Sequence, residues 1–134
     1  MQRQPILIAE NNQDDIILLQ ALLQKANLSV PIHVVTDGEQ AISYLSATGE
    51  YADRAKYPLP QLLLLDIKMP RTDGFEVLEW IRRQHELDDL RVVMLTGIED
   101  VRYVNRAYRL GAISFLLKPI ELTELLYLTS VLKQ

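Results

Sequence analysis

The sequence contains no cysteine. Disulfides and thiolate metal sites are therefore excluded, and the absence fits a cytoplasmic protein. The chain is 49% hydrophobic, yet no apolar run approaches the roughly 18 residues of a membrane span. Met1-Gln2-Arg3-Gln4-Pro5 lacks the architecture of a signal peptide. Positive charge is the minority sign, and a net charge of −4 argues against a general nucleic-acid binder. Repeats and low-complexity segments are absent, and 134 residues make one domain with room for a good core. A Gly-rich phosphate loop is also missing. The first apolar run is followed by Glu10-Asn11-Asn12-Gln13-Asp14, which speaks against a flavin or dinucleotide binder.

What is present centres on Leu62-Leu63-Leu64-Leu65-Asp66-Ile67-Lys68-Met69-Pro70. Four consecutive leucines do not alternate, so the run reads as a strand buried on both faces. Pro60 and Pro70 bound it. The run stops at an aspartate, and a carboxylate at the end of a buried strand is costly unless something pairs with it. In open α/β sheets the carboxyl end of a central strand is where ligands bind. A turn or cap role for Asp66 is less favoured, because Thr72, Asp73 and Gly74 already supply the turn and cap before the next helix.

Four more strands are expected. Pro5–Ala9 is apolar throughout and ends at Glu10-Asn11-Asn12, and Pro31–Thr36 contains His33, read as structural. Leu90–Leu95 ends in Thr96-Gly97, and Ala112–Leu117 ends in Lys118-Pro119. Helices are expected at about 14–27, 39–47, 74–85, 99–110 and from about 121 onward. In the first, Ile16, Leu19, Leu22, Leu23 and Ala26 share a face, and Asp14 and Asp15 are assigned to complementing the helix dipole. In the fourth, Val101, Val104, Ala107 and Leu110 are expected inward, with Gly111 as the terminating residue. In the last, Leu122, Leu125 and Leu126 are expected to face the core. Tyr127, Leu128 and Val131 are left as exposed anchors on a helix whose apolar surface exceeds one stripe. The connection 48–60 is long for a compact domain and suits a further half-turn of helix or a partner contact. Alternating strands and helices imply a doubly wound, five-stranded parallel sheet.

The strand ends form an ordered set: Glu10-Asn11, Asp66, Thr96-Gly97, Lys118-Pro119. Two carboxylates and an amide can hold a hard divalent cation through oxygen. A lysine balances negative charge as a point charge, a threonine hydroxyl bonds an incoming oxyanion, and Gly97 leaves it room. A carboxylate nucleophile, a metal and a lysine are the parts needed for phosphoryl transfer to aspartate.

With these residues in place, the chain resembles a response-regulator receiver domain of two-component signalling, from Ile6 to about Leu132. The resemblance implies a flavodoxin-like (βα)5 fold with strand order 2-1-3-4-5, one receiver domain over 1–134, and Asp66 as phosphoacceptor. It implies Mg2+ bound by Glu10, Asn11, Asp66 and the backbone carbonyl of Lys68. Thr96 would be the switch hydroxyl, Phe115 the aromatic switch residue and Lys118 the essential lysine, followed by a cis Pro119. The long 48–60 loop and Met69-Pro70-Arg71-Thr72-Asp73-Gly74 are similar to small regulators paired with phytochromes. Expected partners are a sensor histidine kinase, phytochrome-like, or a histidine phosphotransfer protein, with a homodimer through the 99–134 face. Direct nucleic-acid or membrane binding is not expected. No effector domain is expected after the last helix, and output is expected through protein contacts or a phosphorelay. Such a domain carries the phosphoryl group and is not a turnover enzyme.

One position departs from the family pattern: Asn11 stands where an aspartate usually touches the metal, and the site loses one negative charge. That departure supports the alternative of a pseudo-receiver, a phosphorylation-independent interaction module, which Asp66, Thr96 and Lys118 oppose. A haloacid-type phosphatase would need a second aspartate two residues after the nucleophile, where this chain has Lys68.

Overall fold

The computed structural model describes residues 4–130 and 132; Val131 lies outside the described residues. Strands β1 (Ile6–Ala9), β2 (Ile32–Val35), β3 (Leu62–Asp66), β4 (Arg91–Thr96) and β5 (Ser114–Leu117) form one parallel sheet in the order β2-β1-β3-β4-β5. Helices α1 (Gln13–Lys25), α2 (Gly38–Ser46), α3 (Gly74–Arg82), α4 (Val101–Arg109) and α5 (Leu122–Thr129) alternate with the strands. The expected fold class, strand order and strand positions are all met.

The run of leucines explains the layering. Successive strand side chains point to opposite faces. Leu63 and Leu65 join Leu7, Ala9, Val92 and Met94 beneath α2 and α3, against Ala41, Leu45, Val77, Leu78 and Ile81. Leu62 and Leu64 join Ile6, Ile8, Val93 and Leu95 beneath α1 and α5, against Leu19, Leu23 and Leu125. Each fully buried leucine contributes about 1.5–3 kcal/mol relative to exposure. A central strand that is apolar on both faces follows directly from having helices on both sides.

Local chemistry starts and stops the helices. Asn12 caps α1 by accepting from Asp15 N at 3.0 Å, and Asp37 caps α2 by accepting from Gln40 N at 2.7 Å. Asp73 and Glu76 form a reciprocal capping box at α3. Gly111 has φ of 86° just past α4, as the sequence suggests. Helix α3 ends at Arg82, and His85 opens a short 3-10 turn, His85–Leu87.

Two helix faces differ from expectation. On α4 Val101 is 68% exposed, Val104 and Leu110 are half-buried, and Ala107 is fully buried. The helix is rotated so that Tyr103 packs on Phe75, ring centroids 5.5 Å apart, and Arg106 lies over the same ring at 4.5 Å while pairing with Glu79. An aromatic ring offers more area to bury than Val101, so the inward stripe runs 103, 107, 110. On α5 Leu126 is 44% exposed, whereas Leu128 packs against the α1/α5 layer. The inward stripe is Leu122, Leu125 and Thr129, whose hydroxyl donates to Leu125 O at 2.7 Å and so can be buried. Tyr127 is exposed, as expected.

The long connection carries a 3-10 turn, Gly49–Tyr51, and a cluster of rings. Tyr44, Tyr51 and Tyr57 meet one another, and His33 meets Tyr44 and Tyr57 at 5.8 Å. Burial lowers the His33 pKa, in keeping with a structural role. Arg54 donates to Tyr44 O and Leu45 O, at 2.8 and 2.6 Å, holding the loop against the end of α2.

Candidate functional site

A parallel sheet brings the carboxyl ends of its strands to one edge, and the expected site residues gather there. Asp66 is the last residue of β3, in register with Leu95, and is 5% exposed. The chain behind it is tightly packed: Gly74 N donates to Ile67 O at 2.8 Å, and a side chain at 74 would stand 2.3 Å from Asp66 O. Glu10 follows β1 and is completely buried. Its Oε1 accepts from Asn11 N and Asn12 N, each at 3.1 Å. Its Oε2 makes no hydrogen bond; that oxygen meets Lys118 Nζ at 2.7 Å as a charge contact alone.

Lys118 follows β5 in a cis peptide bond with Pro119, and its amide donates to Thr96 O at 2.7 Å. The ammonium reaches three carboxylates: Glu10 at 2.7 Å, Asp15 at 2.8 Å and Asp66 at 3.3 Å. Burial works to lower the Lys118 pKa, but the hydrogen bond to Asp15 and the close negative charges of Glu10 and Asp66 outweigh it, and the net shift is upward. The Asp66 pKa is raised as well, but here burial is the cause. Burial and then the Glu10 charge push its carboxyl up to about 7, against the pull of Lys118.

Thr96 is buried, and its Oγ1 accepts from Ile98 N at 3.1 Å. Its own proton therefore remains free to donate. A side chain on Gly97 would meet nothing within 4 Å, so the space beside Thr96 is open. Phe115 is half-buried against the α2/α3 layer, opposite Met94 in the sheet. Asn11 and Lys68 lie exposed at the rim.

The residue that sequence reasoning missed is Asp15. Its position in the first turn suggests only the helix dipole, yet its carboxylate accepts a hydrogen bond from Lys118, 103 positions away, at 2.8 Å. The Asn12 cap places both Asp14 and Asp15 in the first turn of a helix that begins at the site edge, and nothing in the sequence separates the two.

Among the described residues no group of three or more His, Cys, Asp or Glu side chains is arranged to hold a metal ion. The available donors, Glu10 and Asp66 with the neutral oxygens of Asn11 and Lys68, are nevertheless hard oxygen ligands. The buried Glu10 Oε2 makes no hydrogen bond and already faces the Lys118 ammonium, so it suits a positively charged neighbour.

A buried strand-end aspartate beside an ammonium, on a 2-1-3-4-5 sheet, is the arrangement expected of a receiver domain, and the family comparison agrees on that class. The response regulator receiver domain model matches residues 6–129, and the chain belongs to that family. Among its relatives, Rcp1 of Synechocystis sp. is 32% identical over 120 residues, 90% of this chain and 80% of that one. The bacteriophytochrome response regulator RtBRR superposes with a TM-score of 0.86 at 34% identity, over 97% of this chain and 77% of that one. A Mn2+-bound Rcp1 structure has a TM-score of 0.80 at 31% identity, covering 93% and 88% of the two chains. The phosphorylated cyanobacterial phytochrome response regulator RcpA reaches 0.77 at 35% identity, covering 94% and 88%.

Proposed function

We propose that residues 1–134 act as a single receiver domain in which Asp66 accepts a phosphoryl group from a phosphohistidine. The donor would be a sensor histidine kinase, of phytochrome type by similarity, or a histidine phosphotransfer protein. The observation that carries the reading is the Lys118 ammonium held between Asp66, Glu10 and Asp15 at the carboxyl edge of the sheet. In the reaction an Asp66 oxygen attacks phosphorus and the P–N bond to the donor imidazole breaks. The electron pair returns to the ring nitrogen, and an acyl phosphate forms on Asp66. Lys118 takes up charge on the phosphoryl oxygens, and Thr96 donates its hydroxyl proton to one of them.

Glu10, Asn11, Asp66 and the carbonyl of Lys68 would hold Mg2+, which when bound neutralises phosphoryl oxygens. Manganese in Rcp1 and the phosphorylated state of RcpA support both halves of this reading. The signal would pass through Thr96 and Phe115 to α4, β5 and α5. There Tyr127, Leu126, Ile113 and Leu117 offer exposed apolar surface for a second copy or a downstream partner. The domain holds the phosphoryl group or passes it on and does not turn over substrate. A kinase partner of this kind would put it in the cytoplasm. Among the described residues no helix is long and apolar enough to cross a membrane. The pseudo-receiver alternative is disfavoured because Lys118 and Asp66 keep their mutual contact. Intact-mass spectrometry after incubation with acetyl phosphate and Mg2+ tests the proposal. One added phosphoryl group is expected in the native protein and none in Asp66→Asn; equal labelling of both refutes the assignment.

A further inference from the structure

Resting on the receiver reading, we infer that Asp15 is a positioning residue for phosphoryl transfer. It holds the Lys118 ammonium on the α1 side of the site, so that Asp66 is left free to attack.

The three contacts of the ammonium are unequal. Asp15 Oδ2 accepts a hydrogen bond at 2.8 Å. Glu10 Oε2 lies at 2.7 Å without hydrogen-bond geometry, because Glu10 is fixed by the Asn11 and Asn12 amides on its other oxygen. Asp66 Oδ1 stands at 3.3 Å, beyond the roughly 2.7–2.9 Å of a strong charge-assisted bond. The ammonium is thus directed at Asp15 and only near Asp66. A nucleophile whose lone pair is already bonded to an ammonium attacks poorly, so the longer distance keeps Asp66 reactive while the charge stays within reach of the incoming phosphoryl oxygens.

Asp15 also bears on the departure at Asn11. The strand-end pair Glu10-Asn11 has one carboxylate, and Asp15 brings the side-chain carboxylates around Lys118 to Glu10, Asp15 and Asp66. The replacement comes from the first turn of α1, where the Asn12 cap orients it. Among the described residues only Glu10, Asp15 and Asp66 pair with the ammonium, so without Asp15 it closes on Asp66.

The step to be timed uses acetyl phosphate: an Asp66 oxygen attacks phosphorus, the P–O bond to acetate breaks, and acetate leaves with the electron pair. In Asp15→Asn the maximal labelling rate should fall by up to about a hundredfold, the scale of a reacting group misplaced by roughly an ångström. Asp14→Asn removes the same charge one residue away, where the side chain is exposed, and should label like the native protein. Asp15→Glu keeps the carboxylate and should recover most of the rate. The Lys118 Nζ resonance, read by 15N NMR, should move in Asp15→Asn and stay in Asp14→Asn, which a role in helix stability alone would not produce. Native-rate labelling of Asp15→Asn, an unmoved Lys118 resonance, or an Asp15→Glu variant as slow as Asp15→Asn overturns the inference while the receiver reading stands. Native protein that shows no Asp66-dependent labelling overturns the receiver reading itself.

Discussion

Replacing Asp66 by asparagine should stabilise the metal-free protein above neutral pH, and the gain should disappear on acidification. The carboxyl is buried beside Glu10, and its pKa is raised from 3.8 to about 7. The folded protein therefore binds the Asp66 proton more tightly than the unfolded chain does. Between these two pKa values the unfolded chain has lost its proton and the folded chain has kept it. Stability consequently falls as pH rises from about 4 to about 7 and then levels off. A shift of roughly three units at about 1.4 kcal/mol each sets a ceiling near 4 kcal/mol for the cost of the ionised carboxylate at pH 8. The attraction of Lys118 is already contained in that shift. Asparagine keeps the shape without the charge, but its amide must still be solvated in a buried site, so a net gain of about 2–4 kcal/mol is expected at pH 8. At pH 4 both side chains are neutral in the folded state and the difference should shrink toward zero. Urea denaturation of both proteins at pH 4 and pH 8 in chelator, followed by the fluorescence of Trp80, the only indole, measures it. Equal stability at pH 8, or a gain that does not change with pH, would refute the argument that desolvation dominates at Asp66.

Gly74→Ala should destabilise the fold by about 1–3 kcal/mol or more, because the added carbon would stand 2.3 Å from Asp66 O and 2.8 Å from Ile67 Cα; an unchanged urea midpoint would contradict it. Asn11→Asp should bind Mg2+ about tenfold more tightly, ~1.4 kcal/mol, because it restores a carboxylate to the proposed ligand set. Equal affinities by calorimetry would remove Asn11 from that set. Tyr127→Glu should weaken any self-association through α5, since this ring is 81% exposed while Leu128 is packed inward. Sedimentation showing a monomer for native and variant proteins, with and without beryllofluoride, would dismiss the dimer.

The sequence by itself determined the sheet and the edge on which the site is built. Leu62–Leu65 had to be a two-faced strand, because no exposed strand tolerates four consecutive leucines. Once every strand is parallel, Glu10, Asp66, Thr96 and Lys118 share one edge by geometry alone. Helix orientation was legible where one stripe dominated, as in α1. It failed where two stripes competed, and there the packing partner decided. Phe75 drew Tyr103 inward and left Val101 outside, and the α1/α5 layer took Leu128 and left Leu126 outside. The pairing of Asp15 with Lys118 was beyond reach for a related reason. Two adjacent aspartates in a first helical turn are equivalent by propensity and by dipole. Only the placement of α1 against the end of β5 distinguishes the one that meets an ammonium from the one that meets water.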